Sequence, residues 1–202
     1  ACSSVQKSPE AMKSVLNVTP QEEKKFSSEV RGADWNRLKS GDCQKEDAHL
    51  KKSWSWKNAV NAATSCMKQK DFSKVEEIAA HLSQKEIQNP WGPYFYSVVA
   101  LEKGDIERAL WMADLASKRA PNSAVVYHLQ GEVYWGNKNY NKAVSAFEKA
   151  VDLDNEDFSA HLILGQIYFR DLDFNLASKH FQMVLKYEPF HKVALMGQGE
   201  CE

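Results

Sequence analysis

From about residue 54 onward, apolar and small residues recur at helical spacing, and the spacing itself repeats. Gly131 and Gly165 lie 34 positions apart, as do Tyr134 and Tyr168, Tyr140 and Phe174, Ala143 and Ala177, and Phe147 and Phe181. One period upstream, Ser97, Ala100, Ile106, Ala109 and Ala113 hold the same places; one further upstream come Ala63, Cys66, Phe72, Val75 and Ala79. Four registers agree without a gap, and a fixed period of this length predicts stacked repeats. Each period divides into two amphipathic helices joined by a polar turn, at 68–71, 102–105, 136–139 and 170–173. A small residue mid-way along the first helix (Ala63, Ser97, Gly131, Gly165) and another early in the second (Ala109, Ala143, Ala177) allow close approach. Phe147 or Phe181 fills the gap that remains, and Pro121 and Pro189 stop the second helices. The pattern predicts at least eight helices between about 55 and 191, and no strand.

Residues 1–52 have a different texture. They are polar and charged, with sparse apolar positions. Phe26, Val30 and Trp35 lie roughly at helical spacing, which predicts a short helix near 21–38 in what is otherwise a tether or linker.

The recurring residues are similar to the signature of the tetratricopeptide repeat (TPR) family. The fullest copies are 124–157, with Tyr127, Gly131, Tyr134, Ala143, Phe147 and Ala150, and 158–191, with Leu164, Gly165, Tyr168, Ala177, Phe181 and Pro189. The copy at 90–123 keeps Ala109, Ala116 and Pro121 but lacks the glycine; the copy at 56–89 departs furthest, with Val75 and Leu82 where small residues are usual. The resemblance implies an all-α domain over 53–202, a right-handed superhelix of antiparallel helix pairs with a concave groove. Leu195, Gln198 and Gly199 fit the first helix of a fifth unit, so 192–202 is expected to cap the last pair.

The resemblance also implies which side chains line the groove: those three before and one, four and five after the small residue of each first helix. In the second copy these include Tyr94, Val98 and Leu101; in the third, His128 and Trp135; in the fourth, Leu162, Gln166, Phe169 and Arg170. A strip this apolar is expected to be covered, by a partner's peptide or helix or by the chain's own N-terminal segment. Chaperone-binding members of the family carry a Lys/Asn/Arg clamp for a C-terminal carboxylate; here Val60, Thr64 and Leu129 stand at key clamp positions, which does not support that function.

Composition narrows the function classes. Lys and Arg total 26 against 27 Asp and Glu, a balance that argues against nucleic-acid binding. No apolar run approaches the roughly 18 residues of a membrane span. There is no HExxH, phosphate loop or nucleophile elbow, and no Cys at zinc-ligand spacing to a His. His161 stands at a position where the family often has an aromatic, so it reads as packing. The acidic run 152–157 lacks the glycine and the glutamate of a calcium loop and reads as a turn. Neither cofactor nor metal is expected, and no motif supports an enzyme. Cys66 sits at a core position, either as a buried thiol or bridged to Cys43, which would pin the N-terminal segment to the first repeat. Ala1-Cys2-Ser3-Ser4 resembles a bacterial lipoprotein junction, making Cys2 a lipidation candidate. The expected function is a non-catalytic interaction adaptor or assembly factor, placed by that start at the periplasmic face of a bacterial outer membrane. A cytoplasmic scaffold for a motility or signalling complex and a regulatory subunit of an enzyme are the alternatives.

Overall fold

The computed structural model describes residues 42–201, and side chains to 199; the helix expected near 21–38 and the lipidation candidate Cys2 lie outside them. The described residues form ten helices and no strand: α1 (Cys43–Lys52), α2 (Trp56–Lys68), α3 (Phe72–Lys85), α4 (Trp91–Glu102), α5 (Ile106–Arg119), α6 (Ala124–Gly136), α7 (Tyr140–Leu153), α8 (Phe158–Arg170), α9 (Phe174–Tyr187) and α10 (Lys192–Cys201). The pairs α2/α3, α4/α5, α6/α7 and α8/α9 are the four repeats, and each helix packs chiefly against its neighbours in sequence. First helices also touch along one side of the array, α4 against α6 and α8 against α10.

The period is kept to the residue at the turns. Second helices start at Phe72, Ile106, Tyr140 and Phe174, each capped by the preceding side chain: Asp71, Asp105, Asn139 and Asp173 accept from the backbone N–H of Lys74, Arg108, Lys142 and Leu176. The same four capping residues donate their own N–H to the carbonyls of Cys66, Ala100, Tyr134 and Tyr168, closing the first helix as they open the second. That double use forces the residue before each cap into the left-handed region, at Lys70 (φ 56°), Gly104 (φ 76°), Lys138 (φ 57°) and Leu172 (φ 63°). Only one of the four is glycine.

Inside the repeats the small and aromatic positions interlock as the pattern predicts. A Cβ at Gly131 would stand 2.7 Å from the Phe147 ring, and one at Gly165 2.7 Å from Phe181, so the glycines are the hollows that receive the rings. Where the second copy has Ser97 instead, its hydroxyl donates to the Ala109 carbonyl at 2.8 Å. Each ring also reaches forward. Phe147 packs with Ala160 and Leu164 of the next repeat, and Phe181 with Ala194 of α10.

One part of the segment expected to be a tether is ordered structure. Residues 43–52 form α1, capped by Asp42 through Gln44 N–H at 2.9 Å. Cys43 and Leu50 are buried, and a Cys43–Cys66 disulfide ties α1 to α2. The capping aspartate and the Asp47–Lys51 pair at 2.8 Å were the local signals; two buried contacts were too few to register as a pattern.

Three stability measurements follow from the packing and the turns. Phe181→Ala empties a site shared by α8, α9 and α10 and should cost about 3–5 kcal/mol in denaturant unfolding. Leu172 is 73% exposed, so Leu172→Gly gives up little packing. It removes about 1–2 kcal/mol of left-handed strain against about 0.4–1 kcal/mol of glycine entropy. The variant should therefore be more stable than the parent, whereas Gly104→Ala should be less stable.

Candidate functional site

The nine expected groove residues separate into two groups. Tyr94, Val98 and His128 are buried, so they do not line an open surface. Trp135, Gln166 and Arg170 are exposed, and Leu101, Leu162 and Phe169 are half-buried. The correction has a physical cause. All three lie on the stacked first helices α4 and α6, which touch each other, and His128 packs edge-on against Phe147 of α7 with ring centroids 5.5 Å apart. Tyr94 stacks edge-on against Trp91 and Phe95, with ring centroids 5.2 and 5.3 Å away. Burial, with the Glu132 and Asp157 carboxylates, raises its phenol pKa.

His128 is a strap between repeats. Its Nδ1 lies 2.7 Å from Asp157 Oδ2, and its Nε2 is 3.5 Å from Glu132. Asp157 uses its other oxygen to cap α8, accepting from Ala160 N–H and Ser159 Oγ, each at 3.1 Å. Burial opposes charge on the imidazole, but the Asp157 and Glu132 carboxylates outweigh it and raise its pKa. Asp157 likewise resists burial through His128 and its capping bonds, and its pKa is lowered. A second histidine site behaves in the opposite way. His161 and His180 face each other with Nδ1 atoms 2.8 Å apart, so at least one must be neutral to accept. Burial lowers both pKa values; His161 and Lys179 help push His180 down to about 4.

The open part of the strip is built at the C-terminal ends of α6 and α8. Trp135, 39% exposed, meets Tyr140 at 4.8 Å in a T-shaped contact, and Tyr140 is itself 37% exposed. The Arg170 guanidinium lies 4.7 Å from the Tyr140 ring centre and 5.8 Å from that of Trp135, while its Nε donates to Asp171 at 3.0 Å. One repeat later Phe169 and Phe174 form the same T-shaped pair at 5.5 Å. Tyr140 and Phe174 were not among the expected groove residues because those were counted on first helices alone. Their signal was in the register: 135 and 169, like 140 and 174, differ by one period. Beside Tyr140 an open polar recess of about 390 Å³ is lined by 137–141. Among the described residues, no three His, Cys, Asp or Glu side chains are grouped to hold a metal ion, and no helix is long and apolar enough to cross a membrane.

Residues 124–157 match the family model described as tetratricopeptide repeat. The fold is that of a TPR array. Protein bimA of Emericella nidulans is 29% identical over 91 residues, a stretch that is 45% of this chain and 11% of bimA. Among solved structures, MamA 41-end from Desulfovibrio magneticus RS-1 is 22% identical with a TM-score of 0.59, covering 85% of this chain and 98% of that one. YrrB, a TPR protein with an unusual peptide-binding site, is 15% identical with a TM-score of 0.62, covering 79% and 82%.

The two histidine sites set opposite pH limbs. His128 has a raised folded pKa, so its contribution is complete below the unfolded value of about 6.5 and is lost as pH rises through the folded value. His161 and His180 have lowered pKa values, so stability declines as pH falls from about 6.5 towards 4. Asp157, also lowered, adds an acid loss that begins as pH falls to the ordinary carboxylate value of 3.8 and is complete below its folded pKa. The melting temperature should therefore peak near pH 6.5. His128→Asn should flatten the alkaline limb, and His180→Phe the acid limb between pH 4 and 6.5.

Proposed function

We propose that this chain is a non-catalytic adaptor that holds a partner's peptide or helix against the aromatic strip at the ends of α6 and α8. The observation that carries the reading is the Trp135–Tyr140 pair. The Gly131–Phe147 and Gly165–Phe181 contacts already join the helices of these repeats, so the two half-exposed rings are not needed to close the fold. They present a rigid apolar platform beside a polar recess and a guanidinium, a combination suited to anchoring an aromatic or aliphatic side chain while its backbone finds polar partners. Solved structures of the same fold include a protein with a peptide-binding site, which supports the reading by analogy. No motif for catalysis occurs in the sequence, which supports an adaptor over an enzyme.

The finer reading is that the adaptor is a lipoprotein facing the periplasm. Its supports are the Ala1-Cys2-Ser3-Ser4 start and the Cys43–Cys66 disulfide, which suits an oxidising compartment. Labelled palmitate incorporated by the chain and lost in Cys2→Ser would uphold this reading; no incorporation by either would favour a cytoplasmic scaffold.

The adaptor reading is tested by affinity capture from cell extracts with the wild-type chain, then titration of the captured partner. Trp135→Ala should weaken binding by about 2 kcal/mol, near thirtyfold, with the helical circular dichroism unchanged. Equal affinity for wild type and variant would move the functional surface elsewhere.

A further inference from the structure

The four turns that join the helices of each pair are alike in shape and unlike in charge. All four share the doubly used capping residue and the left-handed residue before it. Three of them carry carboxylates: Asp71 in the turn at 68–71, Glu102 and Asp105 at 102–105, and Asp171 and Asp173 at 170–173. The turn at 136–139 carries none, because its cap is Asn139. Asparagine caps a helix about as well as aspartate, so capping itself does not call for the exchange. What the exchange alters is the electrostatic potential beside Trp135 and Tyr140.

The free charge around those two rings is positive. The recess beside Tyr140 is lined by Asn137, Lys138, Asn139 and Asn141, and Lys138 is the charged side chain among them. Lys138 is exposed and has no carboxylate partner among the described residues. Asn139 spends its side-chain oxygen on the Lys142 N–H, which leaves its amide nitrogen to donate. Arg170 brings a guanidinium to 4.7 Å from the Tyr140 ring centre. Its Nε donates to Asp171, and its terminal nitrogens have no hydrogen-bond partner among the described residues. Glu132, one turn before Trp135, faces His128 at 3.5 Å. The half-exposed rings are therefore set among cations and donors.

We propose, on the adaptor reading of this strip, that the partner segment it holds is acidic. A large apolar or aromatic side chain seats on Trp135 and Tyr140, and flanking Asp or Glu side chains meet Lys138 and the terminal nitrogens of Arg170, whose fork suits a carboxylate. The strip lies inside the array, with α8, α9 and α10 stacked beyond it, so it is not the open end of a repeat that further chain would close. The chain's own residues 1–41 hold seven Lys and Arg against five Asp and Glu, the wrong sign for this site.

The probe is a phage-displayed library of random linear peptides, selected in parallel on the full chain, on Trp135→Ala and on the double variant Lys138→Glu/Arg170→Glu. The wild type should enrich an aromatic or large aliphatic residue flanked by Asp or Glu. Trp135→Ala should lose that enrichment, and the double variant should enrich Lys or Arg in the flanking places. A peptide enriched by the wild type, amidated and labelled with fluorescein, should bind the double variant about tenfold more weakly by anisotropy, and bind the wild type more weakly as salt is raised. Unchanged helical circular dichroism checks that both variants fold. Enrichment of apolar residues without acids overturns the inference and leaves the adaptor reading standing. No enrichment beyond that of Trp135→Ala overturns both. Tighter peptide binding by the full chain carrying Asp34→Ala and Trp35→Ala also overturns the inference, by making the chain's own segment the occupant.

Discussion

The later half of this array, α6 to α10, depends on a ring entering a hollow. Phe147 and Phe181 occupy space that any side chain at Gly131 or Gly165 would take, and each then extends into the next repeat. One aromatic thus sets both the closure within a pair and the stacking between pairs. Because each repeat leans only on its neighbours, stability in such a chain is a sum of short-range terms, and local loosening stays local. The two earlier repeats solve the same problem with other chemistry. Ser97 bonds a backbone carbonyl, and the pair α2/α3 closes over fully buried Ala63, Val75 and Leu82.

The sequence made the helices, the turns and the interlocking positions legible because each depends on residue type at a fixed offset. The left-handed residue before each cap follows from the same turn, even where lysine or leucine must adopt it. Groove exposure was legible only in part. Register says which way a side chain leaves its own helix, not how near the next first helix comes. Tyr94, Val98 and His128 are buried within the stacked array, while Trp135 and Arg170, at the C-terminal ends of α6 and α8, stay open. α1 was illegible for another reason: it is held by the disulfide, by Leu50 and by an Asp47–Lys74 ion pair at 3.7 Å, and none of these has a period.

Charge is used here for registration between repeats more than for surface pairing. Asp157 caps its own helix with one oxygen and grips His128 of the preceding repeat with the other, so a change in the angle between the repeats would strain both bonds. A buried ion pair of this kind adds little net stability, because desolvation consumes most of the attraction, but it penalises every arrangement that separates its members. Asp114 does related work one repeat earlier, accepting from Gln130 at 2.7 Å and from the Tyr134 hydroxyl at 3.1 Å. Packing makes the repeats stick, and these pairs set how they are turned.

The Cys43–Cys66 bond also has a mechanical meaning. Tension arriving from the N-terminal side reaches Cys43 and crosses the sulfurs directly to Cys66, in the last turn of α2. The chain between them, which includes the rest of α1 and most of α2, is a slack loop outside the load path. Pulling cannot peel the first helix away and then the second. Force is delivered instead to the junction of α2 with α3, already inside the stacked core, and the end of the array that would otherwise fray first becomes its anchored end.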